Sequence, residues 1–165
     1  MAVEAPLSKY KKDNYRIGIA VLVVFGILFA YDGYLSQYEW SMRQSFYKEH
    51  VLDNDGVPDG TMQLNRSLPP VFAVIAALLA VRLVMVRGRR ITAGDEALIL
   101  PNGKTIAYDR IEQIDKTHFD SKGFFVVTYK TDRGAEANLR LTSRAYDNMP
   151  AILDVLTAKI TGQSA

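Results

Sequence analysis

At 165 residues the chain has room for one ordinary domain, and its net charge of +2 is too small an excess to argue for nucleic acid. It contains no cysteine, which excludes disulfides, thiolate metal sites, iron–sulfur centres and cysteine nucleophiles. The overall hydrophobic share of 48% averages two unlike halves: apolar residues concentrate before position 87, and strand-like alternation follows it.

Residues 1–14 form a polar N-terminal segment carrying Lys9, Lys11 and Lys12. Ile17 to Tyr31 is then free of charge and bracketed by Arg16 and Asp32. Fifteen residues are short for a hydrocarbon core of ~30 Å, so a first membrane span is expected over 15–34. Tyr15 and Tyr34 extend it into the interfaces, and Arg16 snorkels to the headgroups. A cleaved signal peptide does not fit, because Phe29-Ala30-Tyr31-Asp32 offers no small-x-small cleavage site. The run is apolar all round, with no polar stripe of the kind a core helix shows.

Residues 35–68 connect this span to the next and are too many for a tight helical hairpin. The stretch from Tyr34 to Val51 has no Gly or Pro and predicts a helix that continues the first span and then bends or lies along the interface. Tyr31, Tyr34, Tyr38 and Trp40 read as interfacial aromatics, with a docking surface as the alternative. Next comes Asp53-Asn54-Asp55-Gly56-Val57-Pro58-Asp59-Gly60, which resembles the acidic turns of calcium-binding extracellular repeats. Asp53, Asp55 and Asp59 are the candidate hard-oxygen ligands. Met62 stands where an EF-hand loop would need its closing Glu, and a polar turn rich in Asp, Asn, Gly and Pro is the competing reading.

A second span is expected over 69–87, opened by Pro69-Pro70 at the helix N-terminus. Arg82 interrupts it four residues from the exit, either snorkelling to the interface or meeting an acidic group of another subunit. Arg87, Arg89 and Arg90 follow directly. With Lys and Arg concentrated before the first span and after the second, the positive-inside rule puts both termini in the cytoplasm and 35–68 on the outer, periplasmic side.

Residues 88–165 predict a soluble domain of short strands. Glu96–Leu100 and Lys104–Tyr108 flank Pro101-Asn102-Gly103, where Asn-Gly signals a hairpin. Ile111–Phe119, Phe124–Thr131 and Ala135–Leu141 follow. In the last, Ala135, Ala137, Leu139 and Leu141 alternate with Glu136, Asn138 and Arg140. Asp147 or Asn148 is expected to cap a terminal helix with Pro150 in its first turn, Met149, Ile152, Leu153, Leu156 and Ile160 on its apolar stripe, and Gly162 at its end. A strand meander closed by one amphipathic helix is an α+β unit.

The stretch Gly103-Lys104-Thr105-Ile106-Ala107-Tyr108-Asp109-Arg110-Ile111-Glu112-Gln113-Ile114-Asp115 resembles the G-x-x-I-x-Y-x-x-I-x-x-I centre of bacterial PH-like domains. Lys122-Gly123 before a strand, Gly134 and a C-terminal helix continue the likeness over about Arg90 to Gly162. Members often carry two membrane helices before the domain. The resemblance implies a partly open barrel of about seven strands capped by a helix, of which five or six are legible in this chain.

No catalytic pattern accompanies these features. His50 and His118 have no ligand-spaced neighbour. Asp109, Glu112 and Asp115 read as solvated carboxylates, and no phosphate-binding, dinucleotide-binding or nucleophile-elbow motif occurs. A non-enzymatic protein without cofactor is expected, in a bacterial inner membrane. Its partners would be the bilayer and other membrane subunits, with an accessory or scaffold role. The alternative is a lipid-headgroup or signal sensor in which Arg87, Arg89 and Arg90, joined by Lys104 and Arg110, face the anionic leaflet.

Overall fold

The computed structural model describes residues 2–163. The chain is α+β: two long apolar helices, two small antiparallel sheets and a C-terminal helix. It divides into two compact units, one made of Met1–Asp13 with Met85–Ala165 and the other of Asn14–Val84.

The first unit is the sheet domain. Its opening strand, β1 (Val3–Pro6), lies in the N-terminal segment that the sequence presents only as a polar flank. β1 pairs antiparallel with β2 (Arg90–Ala93), from Val3 opposite Ala93 to Pro6 opposite Arg90. β3 (Ala97–Ile99) and β4 (Thr105–Ala107) complete a sheet of order β1-β2-β3-β4. β5 (Ile111–Asp115), β6 (Phe124–Lys130) and β7 (Glu136–Thr142) form a second sheet in that order. Among the described residues there are thus seven strands, because residues preceding the first long helix supply the one that the sequence after position 88 lacks.

Ile111–Phe119 is shorter than its pattern predicts. Asp115 Oδ1 accepts from Thr117 N at 2.9 Å, an Asx turn that ends β5. The chain then makes the one-turn helix α4 (Phe119–Lys122), closed by Gly123 at φ 68°. The terminal helix α5 (Met149–Gln163) buries Met149, Ile152 and Leu156 on a core of Ile91, Leu98, Ile106, Phe125 and Val127. It runs through Gly162 instead of ending there. Asn148 takes a left-handed φ of 60° before it, and the Asp147 carboxylate caps a different helix.

That helix is α1 (Lys9–Ala30). Lys9 N donates to Asp147 Oδ2 at 3.0 Å and Lys11 N to Ser8 Oγ at 3.1 Å, satisfying two of its orphan N–H groups. Residues 144–148 grip the N-terminal strand along its outer edge. Asp147 N donates to Pro6 O at 2.9 Å, Ser8 N to Ala145 O at 2.9 Å, Ser8 Oγ to Arg144 O at 2.6 Å and Asn148 Nδ2 to Glu4 O at 3.0 Å. Ala5, Leu7 and Ser8 are buried.

The second unit is a helical hairpin. α1 ends in a π-helical turn over Tyr31–Leu35, then turns lead to α2 (Gln44–His50). The continuous helix expected from Tyr34 to Val51 is therefore broken. Ser36 N bonds Tyr31 O at 3.0 Å, Ser36 Oγ donates to Asp32 O, and Gln37 Nε2 donates to Tyr34 O at 2.9 Å. These side chains satisfy the last carbonyls and let the chain fold back.

The returning helix, α3 (Gly60–Val86), begins nine residues before Pro69. Both prolines therefore sit inside it, where each removes the N–H that would reach the carbonyl four residues earlier. Pro70 frees Arg66 O, and Tyr34 Oη donates to that oxygen at 2.6 Å. Pro69 frees Asn65 O, which lies against Gly33. A stripe of Asn65, Pro69, Phe72, Ala76, Leu79 and Leu83 is partly or fully buried against Tyr15, Ile19, Leu22, Gly26, Phe29 and Gly33. The alternating three- and four-residue spacing is that of a two-helix seam. Phe29 and Phe72 meet edge to face at 5.7 Å.

Candidate functional site

Two surfaces carry the residues that the sequence singles out: the outside of the hairpin, and the mouth of the sheet domain where α3 gives way to β2.

On the hairpin, Val21, Val24, Phe25, Ile27 and Leu28 of α1 and Val71, Val74, Leu78 and Val81 of α3 point outward and are exposed. Each helix is long and apolar enough to cross a membrane. The antiparallel register fixes where this apolar surface stops. A Cβ on Gly18 would touch Leu79, and one on Gly26 would touch Phe72. Arg16 and Arg82 therefore lie at one level, as do Asp32 and Arg66 at the other end. The uncharged belt between them is Ile17–Tyr31 and Ser67–Val81, about 22 Å at 1.5 Å per residue. Arg82 is exposed and, by this register, marks the edge of the belt instead of interrupting its middle.

The far end of the belt is closed by polar contacts. Arg43 grips Asp32 through two bonds of 2.9 Å, and this pairing raises the Arg43 pKa. Arg66 Nε donates to Gly33 O at 2.9 Å. Of the aromatics, Tyr31 Oη accepts from Ser41 Oγ at 3.3 Å and Tyr34 holds Arg66, so both serve the hairpin's own closure. Tyr15 lies on the seam. Tyr38 and Trp40 stack at 5.6 Å and remain exposed, Trp40 by 66%, beside Met42 at 90%. These last three form the outward apolar tip of the connection.

The acidic turn does not gather its carboxylates. Asp53 lies in a short 3-10 turn, Leu52–Asn54, and Asp55 follows at a left-handed φ of 54°. Asp59 uses both oxygens elsewhere: Oδ1 accepts from Met62 N at 2.9 Å, capping α3, and Oδ2 meets His50 Nδ1 at 2.8 Å. Among the described residues, no group of three or more His, Asp or Glu is placed to hold a metal ion. The His50–Asp59 pair spans nine residues, a spacing that no local ligand pattern flags.

The Met62 N–H, then the His50 side chain, hold the Asp59 carboxyl below its ordinary value of 3.8. A depressed folded pKa means that its contribution is fully present above the unfolded value and lost as pH falls through the folded one. In thermal unfolding of the full chain, wild type should therefore be more stable than Asp59→Asn above pH 4, and that advantage should shrink as pH falls below 3.8. A difference that does not change with pH would show that the carboxylate's charge is not what matters.

At the mouth of the sheet domain, Arg87, Arg89 and Arg90 are all exposed. Arg89, Arg90 and Thr92 line a shallow hollow of about 460 Å³ with Met85, Ile99 and Leu100. Arg90 also reaches Glu4 at 3.3 Å, both side chains being largely solvated. Lys104 and Arg110 form a separate group. Lys104 Nζ bonds Tyr129 Oη at 2.6 Å, and Arg110 pairs with Asp132, which raises the Arg110 pKa. Their engagement with the second sheet explains why they do not extend the arginine hollow. Glu112 pairs with Lys130 at 2.7 Å, and Asp115 ends β5, so neither is a poised acid. His118 packs on Phe124 at 5.3 Å, with Arg140 over the same ring at 3.7 Å. Comparison of the chain with known protein families, with curated proteins and with solved structures finds no match.

Proposed function

We propose that the chain is an integral membrane protein whose two spans carry a PH-like interaction domain, and that it serves as a non-enzymatic accessory or scaffold subunit of a membrane assembly. One observation carries the membrane reading. The outward residues of α1 and α3 are apolar over a belt limited at both ends by charge, and such a surface needs lipid or another apolar partner to cover it. The seven strands in sheets of four and three, with a helix packed across them, support the PH-like reading. Because β1 before α1 pairs with β2 after α3, both ends of the hairpin belong on one side. The lysines in the first turn of α1 and the arginines after α3 favour the cytoplasm for that side, with the Trp40 tip outside. The exposed Tyr38, Trp40 and Met42 give the subunit reading its candidate contact.

The test is extraction of the tagged chain from its native membrane in mild detergent, followed by sizing and identification of what travels with it. A particle of defined composition, lost on replacing Trp40 and Met42 by Ser, supports the subunit reading. A chain that travels with no other protein overturns it.

A second reading rests on the arginine hollow, where Arg89, Arg90 and Thr92 stand beside exposed Met85 and Ile99. Cations next to apolar side chains suit an anionic headgroup at the membrane surface, at about 1 kcal/mol per basic residue. On this reading, Arg89→Ala with Arg90→Ala weakens binding to anionic vesicles, and salt does the same to wild type. Binding indifferent to both changes sinks it.

A further inference from the structure

The sheet of β5, β6 and β7 ends on β7, and the two faces and the edge of that strand differ in what they offer. Thr131 N donates to Ala135 O at one end of the β6–β7 ladder and Ser143 N to Gly123 O at the other, both at 2.9 Å. The register between them is unbroken, from Phe124 opposite Thr142 to Lys130 opposite Glu136. Antiparallel alternation then turns the N–H and C=O of Ala137, Leu139 and Leu141 toward β6 and those of Glu136, Asn138 and Arg140 away from it. Among the described residues no backbone group bonds those outward groups.

An open edge is a template for another strand, and natural edges are commonly guarded by charge. Here the guard is self-complementary. Glu136 and Arg140, both exposed, flank Asn138 at equal spacing. We propose that β7 pairs antiparallel with β7 of a second copy about a two-fold axis at Asn138, joining two three-stranded sheets into one of six. In that register Asn138 faces its own copy, and each Glu136 faces an Arg140, the favourable opposite-charge cross-strand arrangement. On the other face Ala137 meets Leu139, small against large, both half-buried over the core. The outward backbone groups of all three even-numbered residues find outward partners. A shift by two residues keeps the hydrogen bonds but separates the charges, and a shift by one loses the bonds. Thr128 Oγ1 already donates to Asn138 Oδ1 at 2.8 Å, which leaves the Asn138 amide N–H₂ to donate across the axis.

A single strand edge covers less than the roughly 800 Å² per partner of a standard interface. The pairing therefore belongs to the full chain concentrated in a membrane, where confinement raises the effective concentration. To that extent it rests on the membrane reading. The cysteine-free sequence allows a direct test by disulfide trapping in native membranes. Directly opposed residues of a hydrogen-bonded antiparallel pair have Cα atoms about 5.5 Å apart, within disulfide reach. Asn138→Cys should convert most of the chain to a dimer on mild oxidation. Glu136→Cys alone should give at least tenfold less, because the two copies of position 136 lie about 13 Å apart, but should cross-link when co-expressed with Arg140→Cys. Glu136→Arg or Arg140→Glu, each added to Asn138→Cys, should cut the dimer at least fivefold, and the two together should restore it. The proposal is overturned if Asn138→Cys cross-links no more than exposed Lys122→Cys, or if the double charge swap fails to restore dimer while circular dichroism shows the chain folded. Fractionation of the same samples reads the membrane placement separately: chain found in the soluble fraction would count against the spans without touching the β7 register.

Discussion

Gly33→Ala should cost about 3 kcal/mol of hairpin stability, at the upper end of ordinary overpacking. A Cβ at this position would stand 2.5 Å from Asn65 O and 2.7 Å from Asn65 C. Those atoms are backbone of the facing helix and cannot rotate away, so the two helices must separate. Separation also strains the neighbouring bonds from Tyr34 Oη to Arg66 O and from Arg66 Nε to Gly33 O. Gly18 and Gly26 are the controls, because a Cβ there meets side-chain carbons at 3.6 and 3.8 Å, ordinary contact. Alanine at either should be neutral or gain about 0.5–1 kcal/mol through reduced backbone freedom. Titration of helix content with a denaturing detergent would measure all three. A Gly33→Ala chain as stable as wild type would mean that α1 and α3 do not approach as closely as described.

The second large effect concerns β1. A fragment of residues 88–165 should not fold alone, although it contains every strand and helix that the sequence announces for the soluble part. It lacks Ala5 and Leu7, both buried, and the strand that covers β2. Loss of a buried leucine alone costs about 2–5 kcal/mol, a large share of what holds a small domain together. Leu7 N bonds Arg89 O at 2.9 Å, so a short Gly-Ser turn can join Ser8 to Gly88 in place of residues 9–87. That chain should recover dispersed amide resonances and a cooperative melt, whereas 88–165 should show neither. If 88–165 folds as well as the joined version, β1 is an ornament of the sheet and not part of its core.

The two predictions mark where sequence reasoning was sufficient and where it stopped. Local patterns located the hairpin turn at Asn102-Gly103 and the alternation of Ala137, Leu139 and Leu141 against Glu136, Asn138 and Arg140. They also picked out the apolar stripe of α5, since each depends on neighbours within one element. Val3–Pro6 carries too few residues for a period, ends in proline, and finds its partner more than eighty residues away. Pro69-Pro70 looks like a helix start because proline suits one; only the partner Tyr34 Oη reveals why the helix can run through it. The same applies to candidate residues. Arg82 reads as a charge inside a span until the facing helix supplies the register that sets it level with Arg16. Asp59 reads as one of three ligands until His50, nine residues earlier, takes one of its oxygens. Where a residue's role depends on a distant chain segment, its neighbours in sequence carry no trace of it.

The position of β1 also orders events during synthesis. β1 leaves the ribosome before the two long helices, yet its partner β2 is made only after both of them. Closing so long a loop costs entropy, and contacts of this separation slow folding. Formation of the helical hairpin shortens the loop in effect, by returning the chain from Val86 toward the level at which it left at Lys9. The sheet domain can therefore mature only after the hairpin has turned back, and a chain whose second helix fails to return would leave β1 without a mate and the domain open to proteolysis. Completion of the sheet domain is in this sense a report that both helices are in place.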